Sequence, residues 1–412
     1  MRSDLTTAYL RWALYRAALA RGWWLATALY LVLVADLSPS QLVLIGVAQA
    51  LTVVVAEVPA GVIADAVSRR LALVVAHVVM GVGMAMTGFV TAFPLLVISQ
   101  CVWGLGWAIS SGADVAWITD ELDRFDLIDG VLTAQGRFDL IGTAVGIIAF
   151  GAVGWATRLS VAIVVAGVSM IGLGLAIVAR WPESRRQSAI VGRPRTTSAT
   201  VLRQGVAVAR TDRVIFLMLV STLLVNGGAE GFGRLFERRL IALGMPTAPD
   251  PIVWFATLSL VAAALGATAL LFVEARIAGV GVAKRTYVAA CAIGTVGLVI
   301  FAHAPSIQAA VAGALLVRGI AFPTVRTAGT ILVNRRTPSE ARATVHSLLS
   351  QSENAGEFIC GLVLAATANA TSSTVTLMAS AALVAAAGAV AIAARGDPQR
   401  TGTIAPQEPL AK

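Results

Sequence analysis

Ten ionisable side chains fall inside apolar stretches of the chain: Arg21, Glu57, Asp114, Arg137, Asp139, Glu230, Arg318, Arg326, Glu353 and Glu357. Away from water such a group is costly, so it faces a cavity or a partner and marks a path for a substrate, an ion or a proton. A carboxylate in that setting can exchange a proton, because desolvation and a neighbouring arginine pull its proton affinity in opposite directions. Asp114, Glu230, Glu353 and Glu357 are the candidates for that role. Glu353 and Glu357 stand one helical turn apart, a spacing that favours one of the two staying protonated. Arg21, Arg318 and Arg326, with Phe322 between the last two, are candidates for the wall of a substrate cavity. Trp103, Trp107, Ser111 and Asp114 follow helical spacing, which puts two indoles and one carboxylate on one face. That surface suits an amphipathic or cationic ligand, through cation–π contact with the indoles.

Other chemistries lack their residues. His77, His303 and His346 form no ligand cluster, and Cys101, Cys291 and Cys360 show neither metal-ligand nor disulfide spacing. There is no Gly-rich loop ending in Lys-Ser/Thr to cradle a nucleotide phosphate, which argues against drive by ATP. No Ser/His/Asp or Cys/His arrangement stands out. Neither an enzyme activity nor a cofactor is expected.

The elements that hold these charges follow from composition. The 412 residues are 58% hydrophobic and 13% charged, about half the charge of a soluble domain. The apolar residues come in blocks long enough to cross a ~30 Å hydrocarbon core as helices. They do not alternate with period two, which excludes an outer-membrane barrel. Spans are expected at about 13–35, 41–63, 71–91, 95–118, 130–155 and 159–180, then at about 214–237, 251–273, 286–302, 307–330, 344–368 and 374–394. The chain therefore divides into a first six-helix unit (1–180), a polar linker (181–213) with an amphipathic helix near 200–210, a second six-helix unit (214–394) and a tail (395–412). No cleavable signal peptide is evident in the arginine-punctuated first 21 residues.

Charge sets the orientation. With both termini and the linker on one side, that side collects Arg2, Arg11, Arg69, Arg70, Arg124, the linker arginines, Arg276, Lys284, Arg285, Arg335, Arg336, Arg342, Arg395, Arg400 and Lys412. The other side receives only Arg158, Arg234, Arg238 and Arg239. The positive-inside rule makes the basic side cytoplasmic. The formal charge of +9 is thus a matter of topology and does not point to nucleic acid. The Ala/Val/Arg-rich, Lys-poor composition fits a high-GC bacterium, hence its plasma (inner) membrane.

The two halves echo each other at an offset of about 215 residues, which places Arg70 on Arg285, Gly104 on Gly319 and Asp120-Glu121 on Arg335-Arg336. Parallel six-helix repeats with a site at their interface have this form. The loop after the second span reads Gly61-Val-Ile-Ala-Asp65-Ala-Val-Ser-Arg69-Arg70. It resembles the signature loop of the major facilitator superfamily, departing at Ala66, where a basic residue is frequent, and at Ser68, often Gly. The resemblance implies an all-α integral membrane fold of twelve helices in two six-helix bundles, acting as a monomer. It also implies a gating latch in which Gly61, Asp65, Arg69 and Arg70 work with charges on neighbouring helices, here Asp120 and Glu121.

Trp103 through Glu121, Glu230-Gly-Phe-Gly-Arg234 and Pro338 through Ser347 resemble the drug:proton antiporter branch of that superfamily. The fifth span is Gly-rich, with Gly142, Gly146, Gly151 and Gly154, but lacks the Pro usual in antiporters. The branch resemblance implies proton-coupled export of small amphipathic or drug-like compounds across the bilayer, with a small-molecule substrate and protons as the partners. The competing reading keeps the fold and takes an anionic metabolite, lipid or siderophore in either direction, which Arg318 and Arg326 favour. A non-transporting scaffold or sensor is a third reading, but no soluble domain is present through which it would signal.

Overall fold

The computed structural model describes residues 2–66, 68–122, 125–182, 212–274, 280–337 and 342–394. The expected linker helix and the C-terminal tail lie outside these residues, as does the side chain of Asp65.

Every described element is helical: α1 (Arg2–Leu33), α2 (Pro39–Ala66), α3 (Arg69–Phe89), α4 (Phe93–Ser110), α5 (Ala113–Leu122), α6 (Phe125–Ala156), α7 (Leu159–Arg180), α8 (Arg213–Ala242), α9 (Pro251–Glu274), α10 (Val280–His303), α11 (Ile307–Leu315), a π-helical turn (Leu316–Ala321), α12 (Phe322–Asn334), α13 (Arg342–Ala370) and α14 (Ser373–Ala393). Ten spans are long and apolar enough to cross a membrane, α4 with α5 counting as one and α11 through α12 as another. The remaining two of the twelve are α1 and α13. They have the length but carry charge along it: Arg11, Arg16 and Arg21 in one, Glu353 and Glu357 in the other.

Local chemistry sets the helix ends. The hydroxyl of Ser68 accepts from the Leu71 amide at 3.0 Å to start α3, and the Asp212 carboxylate accepts from Val214 at 2.8 Å to start α8. Side-chain caps of this kind satisfy amides that have no partner within the helix. Gly112, at φ +74°, lies between α4 and α5. A side chain disfavours that left-handed conformation, so the fourth span breaks where the only glycine of Ser-Ser-Gly-Ala permits it.

Lipid tails are as apolar as leucine, so helices associate by close packing, and small residues let the backbones approach. A Cβ on Gly142 or Gly146 of α6 would strike the carbonyl of Leu14 or Ala18 on α1. Gly356 of α13 meets Leu223 of α8 in the same way. The first bundle joins α1 to α6 and α7, and α3 to α4 and α7; the second joins α14 to α8 and α10, and α8 to α13. Between the bundles, α2 packs on α13 and α8, and α6 packs on α9.

Two faces organise the rest: the basic face, where α1 begins, and the opposite face. At the opposite face the bundles are tied together. Arg238 at the end of α8 donates to the Leu37 carbonyl at 2.6 Å and lies 3.5 Å from Asp36, and Gly154 of α6 packs against Ile252 of α9. Toward the basic face α2 and α13 stay joined through Glu57, while Arg326 of α12 is 77% exposed along its side chain.

Candidate functional site

A cavity of about 500 Å³ lies between the bundles. Its wall takes Arg21, Trp24 and Leu25 from α1, Leu140, Thr143 and Ile147 from α6, Glu230, Arg234 and Glu237 from α8, Ser259 through Leu270 from α9, and Arg318 and Pro323 from the tenth span. Both halves thus supply charge as well as apolar surface.

The charges are arranged unequally. Glu230 and Arg234, one turn apart on α8, form an ion pair at 2.6 Å. The same guanidinium donates to Gln49 of α2 at 2.9 Å and lies 5.1 Å over the Trp24 ring of α1. Arg234 therefore ties the second bundle to two helices of the first. Gly46 of α2 makes room for this pair, because a Cβ there would meet the Glu230 carboxylate and the Arg234 Nε. Arg318 lies 4.7 Å over the Phe236 ring and forms no hydrogen bond or ion pair with a described residue; Arg21 likewise forms none. Arg318 occupies the π turn, which closes with a bond from the Phe322 amide to the Val317 carbonyl. Pro323 follows directly and has no amide to continue the α-helical ladder to Gly319. Such π turns re-aim side chains and concentrate at functional sites.

A second polar cluster sits inside the first bundle, nearer the basic face. Arg16 of α1 lies 3.6 Å from the Asp114 carboxylate of α5, and its guanidinium is 4.6 Å over Trp12 and 6.0 Å from the Trp107 ring centre. Asp139 of α6 is within electrostatic reach of both Arg16 and Asp114, and its Oδ1 is buried without a hydrogen-bond partner. Tyr9 donates to Gln135 at 2.8 Å on the same side. His77 is fully committed: Trp12 donates to its Nε2 at 3.0 Å, and its Nδ1 contacts the Leu73 carbonyl at 2.6 Å. A ring nitrogen that accepts from an indole carries no proton, so His77 is neutral with the hydrogen on Nδ1.

The fourth-span residues separate in space. Trp103 is 6% exposed, stacked on Trp23 at 5.4 Å and on Trp107 at 5.6 Å, with Trp24 edge-on at 5.8 Å. It belongs to the core of the first bundle, packed in one cluster with Trp24, Leu31 and Leu42 of the cavity wall. Trp107 is 39% exposed. The hydroxyl of Ser111 donates to Glu57 of α2 at 2.9 Å. The helix breaks at Gly112, and beyond the break Asp114 and Trp107 both lie near the Arg16 guanidinium. Glu57 also accepts from Gln351 at 2.5 Å and Ser350 at 3.4 Å of α13, so it joins both bundles.

On the tenth and eleventh spans, Arg326 lies 3.6 Å from Glu353, and Phe322 packs edge-on to Phe232 at 6.3 Å, away from the cavity wall. Glu357 is within electrostatic reach of Glu230, Arg234, Glu353 and Arg326. In the signature loop, Arg69 binds Asp120 at 2.5 Å and donates to the Ala116 carbonyl at 3.0 Å, while Arg70 donates to the Val178 carbonyl at 2.6 Å. These bonds fasten α3 to α5 and α7 within one bundle. Glu121 stands beside Asp120 on α5, and Gly61 has open space around it.

Arg234 departs from the sequence expectation. Counted among the charges of the non-basic side although the expected span reaches 237, it is instead 10% exposed within the cavity wall, and α8 runs on to Ala242. Glu237, also on the wall, was not singled out. The signal for both was present: Glu230, Arg234 and Glu237 are spaced i, i+4, i+7 on one helix face.

Residues 13–359 match the family model of the Major Facilitator Superfamily. No curated protein sequence matches the chain. Among solved structures, the nucleoside transporter NupG aligns with a TM-score of 0.77 at 12% identity over 95% of this chain and 98% of that one. A bacterial homologue of the human lysosomal transporter Spinster, in an inward-facing and occupied conformation, aligns with a TM-score of 0.73 at 14% identity over 95% and 96%. A POT family transporter in complex with a thioalcohol-conjugated peptide aligns with a TM-score of 0.70 at 12% identity over 94% and 95%.

Proposed function

The chain belongs to the Major Facilitator Superfamily of transporters, and from that premise we propose that it is a proton-coupled exporter of small amphipathic molecules. In this reading it acts as a monomer in the plasma membrane, with both termini in the cytoplasm. The observation that carries it is the pairing of a mixed apolar and charged cavity between the bundles with a separate carboxylate cluster inside the first bundle. The cavity offers a ligand both apolar surface and charge. The cluster offers two carboxylates, Asp114 and Asp139, to a single guanidinium, Arg16. That leaves one surplus negative charge, which a proton cancels. Helices α1 and α6 contribute to both sites, so a change in the cluster can bias the packing that shapes the cavity. A ligand or proton shifts a two-state equilibrium only by its differential affinity for the two states. The Arg234–Gln49 and Arg238–Leu37 bonds tie the bundles at and above the cavity, and they break when the opposite face opens.

The test is a proteoliposome assay with an imposed pH gradient, reading internal pH as cationic, neutral and anionic amphiphiles are added. Compound-dependent proton movement that is lost in Asp114→Asn supports the reading. Proton movement unchanged in that variant removes Asp114 from coupling. Compound uptake that ignores the gradient refutes proton coupling.

A further inference from the structure

The charges on the cavity wall do not balance. Arg21, Arg234 and Arg318 face Glu230 and Glu237, one positive charge in excess. The partners sharpen the imbalance. Arg234 is occupied by Glu230 and Gln49. Glu237 is within electrostatic reach of Arg318 and Arg234 but within ion-pair distance of neither. Arg21 forms no ion pair with a described carboxylate, and Arg318 and Arg326 lie within its electrostatic reach. A guanidinium at membrane depth with no ion-pair partner is costly and marks a site that meets a charged ligand.

Position gives the pair a use. Arg21 comes from the first bundle and Arg318 from the second, both exposed to the cavity between them. The π turn and Pro323 hold Arg318 on that wall. Planar guanidiniums present parallel donors that match a carboxylate or a phosphate. Beside them Trp24, Leu25, Ile147 and Leu270 supply apolar surface.

We propose that the transported molecule is an organic anion, its carboxylate or phosphate head held between Arg21 and Arg318 and its apolar body lying along Trp24, Leu25, Ile147 and Leu270. The inference rests on the transport reading of this cavity and names its substrate class. One anionic head cancels the one excess charge. Because its two donors belong to opposite bundles, binding draws the halves together over the ligand.

The probes are four molecules with one eight-carbon body: octanoate, octyl phosphate, octanol and octylamine. Binding to the full-length protein in nanodiscs is measured by calorimetry for the native chain, Arg21→Gln, Arg318→Gln, Arg21→Lys and the charge control Arg158→Gln. The two anions are expected to bind at least tenfold more tightly than octanol, and octylamine more weakly still. Each Gln variant should lose at least tenfold for the anions and leave octanol unchanged. Arg21→Lys should fall between, and Arg158→Gln should match the native chain. The ratio of octanoate to octyl phosphate then separates a carboxylate substrate from a phosphate ester.

Octylamine or octanol binding as tightly as octanoate would overturn the proposal, as would no anion binding at all, or anion binding unchanged in both Gln variants. Retained octanol binding shows that a variant is folded. Proton movement driven by octylamine alone would sink the anion clamp while leaving proton-coupled export standing. Anion uptake that ignores the pH gradient would do the reverse.

Discussion

Arg16 pairs with Asp114 and has Asp139 within electrostatic reach, and a guanidinium shared by the two carboxylates makes a non-additive prediction. The Arg16–Asp114 distance of 3.6 Å corresponds to about 4–5 kcal/mol of attraction at an effective dielectric of ~20. Stranding one member of a buried pair costs about 3–5 kcal/mol. Asp114→Asn alone does not strand Arg16, because Asp139 is within reach and has an unpartnered oxygen to offer. Asp139→Asn alone leaves the Arg16–Asp114 pair intact and removes the surplus charge. Each single variant is therefore expected to lose about 1 kcal/mol or less, the size of one net hydrogen bond. The double variant leaves Arg16 with no carboxylate and is expected to lose about 3–5 kcal/mol. The assay is unfolding of the purified protein in mixed micelles with increasing SDS, for all four members of the cycle. A double variant equal to the sum of the singles within about 0.5 kcal/mol, the tolerance for independent sites, would refute the sharing. It would also undercut the use of this cluster as a proton site.

Two further outcomes follow from the packing and the junction of the bundles. Glu57 accepts bonds from α4 and α13; Glu57→Ala removes a charge-assisted bond of about 1.5–3 kcal/mol and should raise the alkylation rate of a cysteine placed at Leu140 by tenfold or more, with an unchanged rate counting against a bundle-joining role. Gly146→Val puts a side chain into the backbone of Ala18; overpacking costs about 1–3 kcal/mol and displaces the helix that carries Arg16 and Arg21, so size-exclusion profiles should show loss of monodisperse protein, and a normal profile would mean that α1 can shift to accommodate it.

The fold was legible because hydropathy at twenty-residue scale needs no knowledge of partners. Ten of the twelve spans stand out by length and apolarity, and the loop motif placed Arg69 near Asp120. The arrangement of the site was less legible, for physical reasons. A lipid-facing helix is apolar on every side, so periodicity does not say which face looks inward, and Trp103 could not be separated from Trp107. Nothing in the sequence sets Gly112 apart from the chain's other glycines, yet its backbone breaks the fourth span two residues before Asp114. Arg16 stands out in the sequence only as one of the arginines punctuating the first 21 residues, and nothing there pairs it with residues about a hundred positions away. The π turn has only Pro323 as its trace, since prolines are also tolerated in ordinary membrane helices.

The charge carried by α1 also burdens the making of the protein. A ribosome adds roughly 5–20 residues per second, and Asp114 follows Arg16 by 98 positions. For about 5–20 seconds after its own synthesis, Arg16 has neither carboxylate of its cluster to meet it. Helix α1 is less apolar than the three helices that follow it, and it carries this charge before α5 and α6 exist to pair it. Its arginines can reach toward the basic surface on their long side chains in that interval, and they turn inward only as α5 and α6 arrive. Helix α1 is thus made well before it can be fully paired, and a stall in translation between Arg16 and Asp114 would hold the chain with that arginine uncompensated.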